Sequence, residues 1–456
     1  MSARVVLGAA ALLAATAVPA LAQDFAITNA RVVIGDGSAP VENGTVVVRG
    51  GKVVAAGTGV AVPAGLRTID AAGKWVTPGL VVAVTDLGLV DVDSVDDSND
   101  VRARGGPFSA ALDVAPAINP GSQHIQISRA GGVTRAAVAP EAGTGIFAGQ
   151  GAIIDLGADP SPIVRARAFQ FVELGENGGR IAGGSRVSAQ ALFRNALREA
   201  RELTLRAPLT ASKTLAPVSL GDDTPVDPRL LGAGAAREDD VLLTRFDAAA
   251  LVPVVTGAQP LYVHVERAAD IRATLALTRE FPKLRIVLVG ATEGWLVARD
   301  IAAAGVPVLA TPLNDLPSDF EHIAATQSNV GRMAAAGVKV GLGAFGDQPR
   351  YAPQYAGNMV ALTRVPGASG LDWGRAFAAI SSGPAEILGM GDRFGSLRPG
   401  RAGDVVIWDG DPLEAGSGVV GVFIDGVEQP LTNHQTKLRD RYRTPQEGAL
   451  PKAYDW

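Results

Sequence analysis

Between residues 78 and 390, short apolar runs alternate with amphipathic helical patterns. The runs Val133 to Val138, Leu261 to Val265, Arg285 to Val289, Val306 to Ala310 and Val338 to Leu342 have the length and β-branched content of buried strands. Helical spacing follows the second run through Asp270, Leu275 and Leu277. It follows the third from about Glu293 to Ala304, and it precedes the last over Val330 to Ala336. Buried strands alternating with helices predict parallel βα units, and about 300 residues suffice for a closed eight-stranded barrel. A doubly wound open sheet would need a glycine-rich dinucleotide loop after a strand, and none of the required form is present. One stretch breaks the rhythm. Ser188 to Leu205 reads as a helix with Leu192, Phe193, Ala196, Leu197, Ala200 and Leu203 on one face, and residues 207–239, rich in Pro, Gly, Ser, Thr and Asp, read as a loop or insertion.

Both ends of the chain carry short β patterns. Ile27 to Ile34 and Thr45 to Arg49 are β-rich, with turn signals at Asp36-Gly37 and at Gly50-Gly51, the latter between Val46-Val47-Val48 and Val53-Val54. Asp404-Val405-Val406-Ile407-Trp408 and Val420 to Ile424 repeat the pattern near the other end. The expected fold is therefore α/β: a TIM-like (β/α)8 barrel over 78–393, a composite β-sandwich from 24–77 and 394–432, and a C-terminal tail over 433–456.

The first 22 residues stand apart. Arg4 supplies a positive start, Val5 to Val18 an apolar stretch, and Ala20-Leu21-Ala22 a small-x-small cleavage site ahead of Gln23. This is the pattern of a cleaved secretory signal, and the apolar stretch is too short for a bilayer of about 30 Å. A periplasmic or secreted protein is expected. Export permits disulfides, yet the chain has 0 Cys, which also removes thiol catalysis and thiolate metal ligands. Apolar residues at 47% allow a large core, and 41 basic against 46 acidic side chains, with no dense basic run, argue against a nucleic-acid partner. No later stretch is apolar and long enough to span a membrane. The expected partner is a small molecule at the barrel mouth, with self-association left open.

Three segments carry a resemblance. Ile69-Asp70-Ala71-Ala72-Gly73-Lys74-Trp75-Val76-Thr77-Pro78-Gly79-Leu80 resembles the approach to the first barrel strand of the amidohydrolase superfamily. Pro384-Ala385-Glu386-Ile387-Leu388-Gly389 resembles that family's late NPA-x-x-LG helix. Gly395-Ser396-Leu397-Arg398-Pro399-Gly400-Arg401-Ala402-Gly403-Asp404-Val405-Val406 resembles its return to the terminal β-domain. In order and at barrel-length spacing, they place the chain near the imidazolonepropionase-like branch. The resemblance implies a divalent ion at the C-terminal barrel mouth, where it would lower the pKa of a bound water and polarise a carbonyl or phosphoryl oxygen. It also implies ligands: His-x-His on strand one, a carbamylated Lys or a Glu on strand four, His on strands five and six, and Asp on strand eight.

Against that set, Val84 and Asp86 hold the His-x-His places, and His264 in Tyr262-Val263-His264-Val265-Glu266 fits strand five. Gly290 stands at the strand-six place and Phe345 at the strand-eight place, with Asp347 two residues later. No strand-four Lys is evident. The chain has 4 His, namely His124, His264, His322 and His434, too few for a histidine-rich two-metal site. The candidate metal ligands are His264, Asp86 and Asp347, for one zinc or manganese ion or for none tightly bound. The candidate catalytic groups are His264, Asp86 and Glu293, the last also a natural first-turn acid for the helix after it. Asp91, Asp93, Asp96, Asp97 and Asp100 read as a solvated acidic loop without EF-hand spacing. Gly149-Gln150-Gly151 reads as a turn beside a strand, and no Gly-x-Ser-x-Gly elbow is present.

Three functions remain open. The resemblance implies a hydrolase of non-peptide or dipeptide-like C–N bonds with its metal site largely lost. The second is a periplasmic binding protein without catalysis. The third is a metal-independent barrel enzyme working through Glu293 or Asp347.

Overall fold

The computed structural model describes residues 23–206, 242–346 and 348–443. The expected secretory signal over 1–22, the expected insertion over 207–239, Asp347 and residues 444–456 of the expected C-terminal tail lie outside the described residues.

The chain begins with five strands: β1 (Phe25–Val32), β2 (Val41–Arg49), β3 (Lys52–Gly57), β4 (Arg67–Asp70) and β5 (Trp75–Pro78). The turn signal at Gly50-Gly51 closes the β2–β3 hairpin, with Arg49 opposite Lys52 and both glycines at positive φ, which an L-side chain resists. The barrel strands follow as β6 (Leu80–Thr85), β7 (Val133–Val138), β8 (Phe147–Asp155), β9 (Ile163–Glu173), β10 (Leu261–Val265), β11 (Ile286–Gly290), β12 (Val308–Ala310) and β13 (Val340–Gly346). The last strands, β14 (Val405–Trp408), β15 (Val419–Ile424) and β16 (Val427–Glu428), return to the first. One sheet runs β16-β15-β14-β5-β1-β2-β3, with β4 also on β1, so both chain ends build it together.

β6 to β13 close into an eight-stranded barrel in chain order. The expectation of parallel βα units fails at one strand. β8 runs antiparallel to both β7 and β9. A parallel connection needs a crossover of a dozen or more residues, usually a helix. The links over 139–146 and 156–162 contain none, so the chain doubles back instead. Gly149-Gln150-Gly151, expected as a turn, lies inside β8, where Gly149 takes φ +129° and a Cβ there would crowd Leu112.

Side-chain alternation divides the core into two layers. Val81, Ala83, Ala137, Ile153, Phe169, Tyr262, Val287, Val289 and Leu309 share one buried cluster within the barrel. Their strand neighbours Val82, Ala136, Val172, Val263, Leu288 and Val308 join the outer cluster beneath the helices. Helix α1 (Gln123–Ala130) packs outside β7. After β9 come α2 (Glu176–Ile181), α3 (Arg186–Arg206) and α4 (Arg245–Val255); α3 buries Ala189, Phe193, Ala196, Leu197 and Ala200, close to the face read from the sequence. Helices α5 (Ala268–Glu280), α6 (Ala298–Ala304), α7 (Asn329–Ala335) and α8 (Ala352–Leu362) then alternate with the later strands. No helix among the described residues is long and apolar enough to cross a membrane.

One inward side chain is poorly provided for. Tyr262 is 0% exposed and stacks on Phe169 at 4.2 Å, and its hydroxyl has no hydrogen-bond partner among the described residues. A buried, unpaired hydroxyl costs stability, so Tyr262→Phe should raise it by about 1 kcal/mol. Guanidinium denaturation measures this, and a loss of stability would show that the hydroxyl is satisfied.

Candidate active site at the barrel mouth

β9 ends on Glu173 and β10 carries His264 beside it in parallel register. Alternation aims Phe169, Phe171 and Glu173 of β9, and Tyr262 and His264 of β10, to the same inner side. Nδ1 of His264 lies 2.9 Å from both Glu173 oxygens, and Nε2 lies 3.0 Å from Oε1 of Glu266. Glu266 is buried, and its Oε2 accepts the Thr292 backbone N–H at 2.7 Å. That same oxygen is 3.8 Å from Nε2 of His322, whose Nδ1 lies 2.7 Å from Asp319. Carboxylates and imidazoles thus alternate from the end of strand four to the loop after strand seven: Glu173, His264, Glu266, His322, Asp319.

The charges follow from this order. Burial works against the imidazolium of His264, but the Glu173 and then the Glu266 carboxylates raise its pKa well above the usual value. Burial would raise the carboxyl of Glu266, but the bond from His264 and the approach of His322 hold it far below the usual carboxylate range. His322 is pushed up to about 9 by Glu266 first and then by Asp319, against burial. Both ring nitrogens of His264 are thus engaged by carboxylate oxygens, and an imidazolium held this way donates from both.

Gly290 completes the arrangement. It ends β11 at φ +85°, and a Cβ built on it would collide with Oε1 of Glu266. The Glu266 side chain therefore fills the space into which a strand-six ligand would project. Among the described residues no three His, Cys, Asp or Glu side chains are placed to hold a metal ion. Among the described residues, both His264 nitrogens are therefore taken by carboxylates, and Glu266 fills the strand-six space.

The other sequence candidates lie elsewhere. Asp86 follows β6 and lines a cleft of about 430 Å³ with Asp93, Asn99, Arg102, Arg104 and Glu141. Asp347 lies outside the described residues. Glu293 accepts the backbone N–H of Ala268 at 2.9 Å, at the start of α5, and that of Ala324 at 3.3 Å. It thus caps the neighbouring helix and pins the strand-seven loop, rather than serving the first turn of its own helix. In the acidic loop, Asp91 accepts from the Asn119 amide and Asp96 pairs with Arg104.

Five members escaped the sequence reading: Glu173, Glu266, Asp319, Glu321 and, as a site residue, His322. Glu173 was hidden because Arg165 and Arg167 mask the strand start, although Phe169-Gln170-Phe171-Val172-Glu173 alternates clearly. Glu266 follows His264 by two residues and carried no motif. Glu321 also sits here, accepting the Glu176 N–H at 2.7 Å and facing Arg186; burial raises its carboxyl, reinforced by Glu266.

The barrel with its polar centre at the strand C-termini, and the sheet built from both chain ends, can be compared with known proteins. The family model described as "Amidohydrolase family" matches residues 250–428. Amidohydrolase tasK of Hapsidospora irregularis is 26% identical over 397 residues, 81% of this chain but only 38% of that protein's length. The imidazolonepropionase of Acidiphilium cryptum is 26% identical over 82% of this chain and 89% of its own. Among solved structures, an amidohydrolase from Thermotoga maritima MSB8 shares the fold, with a TM-score of 0.72 at 24% identity, over 89% of this chain and 99% of that one. The chain is thus similar to the amidohydrolase family over 250–428 and to imidazolonepropionases along most of its length.

Proposed function

We propose that this chain is an exported amidohydrolase-family protein that binds a small polar molecule at the barrel mouth without metal-activated hydrolysis. The observation that carries this reading is the position of Glu266, which takes Nε2 of His264 and fills the space beside Gly290. Export is supported by the apolar run ending in Ala20-Leu21-Ala22. The polar cleft beside Asp86 gives a small ligand room at the same end of the barrel.

Purified protein incubated with Zn²⁺ or Mn²⁺ and then desalted is expected to retain less than one ion per chain and to show no thermal shift with either. An ion bound only to the native state at a hundred times its dissociation constant would add about 2.7 kcal/mol. Stoichiometric metal that is lost in His264→Ala would overturn the reading.

A second reading rests on Glu321, whose raised carboxyl beside His264 suits a general acid in a metal-free hydrolase. Turnover of imidazolone, cyclic amide or dipeptide substrates in the presence of a chelator, abolished by Glu321→Gln, would favour it. No turnover leaves the binding reading in place.

A further inference from the structure

We propose that the seam between the barrel and the end sheet contains a proton-binding site, which tightens their union as the medium becomes acidic. The site is built around Arg135, in the N-terminal half of β7, at the opposite end of the barrel from His264. Its guanidinium makes two parallel bonds to Asp404, at 2.7 and 2.8 Å, just ahead of β14. Asp425, in the turn between β15 and β16, lies 2.8 Å away, and Asp155, the last residue of β8, lies at 3.9 Å. Phe394 covers the guanidinium at 5.4 Å.

The count of charges makes the argument. One guanidinium, 5% exposed, faces three carboxylates drawn from the barrel and the sheet. Asp404 is best satisfied, since it holds both guanidinium bonds and accepts the Asp425 N–H at 2.9 Å. Asp155 is the most distant, is 14% exposed, and accepts one backbone bond, from Gly157 at 2.9 Å. The groups facing it are Arg135 from β7, Asp159 from its own turn and Asp425 from the sheet, with Arg393 acting on Asp425. Two of the three charges facing Asp155 are negative. Burial pushes its carboxyl up to about 6, partly countered by Arg135; burial and then Asp404 raise that of Asp425.

A carboxyl whose folded pKa exceeds its unfolded value, about 3.9, binds its proton more tightly in the folded state. Its ionisation therefore weakens the fold, fully above about pH 6, and the penalty fades as pH falls towards 4. Reversal of β8 makes this possible, because a parallel strand three would end at the mouth instead.

The test compares the full chain with Asp155→Asn, which keeps an oxygen for the Gly157 N–H and carries no charge. At pH 7.5 the variant is expected to favour folding over the parent by about tenfold to a hundredfold, each unit of raised pKa being tenfold in the equilibrium constant. At pH 4 the advantage should fall to about twofold. An advantage independent of pH, or none at pH 7.5, overturns the proposal. Should the variant fail to fold, carboxyl ¹³C resonances of aspartate-labelled parent protein decide the matter. An Asp155 carboxyl titrating between pH 5 and 7 supports the site, and one titrating below pH 4 removes it.

Discussion

Arg135→Met is expected to destabilise the fold by about 3–5 kcal/mol, the usual cost of removing one partner from a buried ion pair. The substitution keeps most of the apolar stem against Phe394 but leaves Asp404, 3% exposed, without its two guanidinium bonds. Asp155 and Asp425 would lose the Arg135 cation that faces both of them, with Arg393 remaining near Asp425. Lysine should rescue little, because a point charge cannot reproduce the planar fork that meets both Asp404 oxygens. Urea denaturation followed by tryptophan fluorescence reads the effect. A midpoint unchanged in Arg135→Met would show that the sheet docks on the barrel by apolar contact alone. Stability so large a fraction of the total, at one residue, also implies that barrel and sheet unfold together.

The second large effect lies at the mouth and depends on pH. His322 has a folded pKa of about 9 against 6.5 unfolded, so its contribution is complete below about pH 6.5 and is lost as pH rises towards 9. The loss should be on the order of 2–3 kcal/mol, discounted for the 3.8 Å separation from Glu266. Glu266→Gln should remove most of this slope and, at pH 7, cost about 3 kcal/mol by leaving the His264 imidazolium with one carboxylate in place of two. Denaturation at pH 7, 8, 9 and 9.5 on both proteins measures it. Equal slopes would place the ladder outside the stability of the native state. In acid the sign reverses for Glu266: its depressed carboxyl stabilises the fold above about pH 4.5 and loses that contribution as pH falls.

The sequence made the fold legible where period and length agree. Val133 to Val138 and Leu261 to Val265 are strands with those bounds, because each is a short, continuous β-branched run buried on both faces. The direction of β8 was not legible. Strand direction depends on what the connection can span, and the links around β8 are loops without periodic signal. The site was legible in one residue. His264 announced itself by residue type and by its place at a strand end. Glu173, Glu266 and His322 did not, since their meaning comes from distance across strands far apart in the chain, 91 residues in the case of Glu173 and His264. Glu293 shows the converse: its first-turn position was readable, but the groups it binds, Ala268 and Ala324, belong to other elements.

The fit between Gly290 and Glu266 carries a consequence for substitution. Any side chain placed at position 290 meets Glu266, and the left-handed backbone there resists it as well. A side chain placed at 290 requires the Glu266 carboxylate to move or shorten, while shortening Glu266 alone leaves His264 with one carboxylate in place of two. Positions 266 and 290 are therefore coupled: the side chain one of them can carry depends on the other.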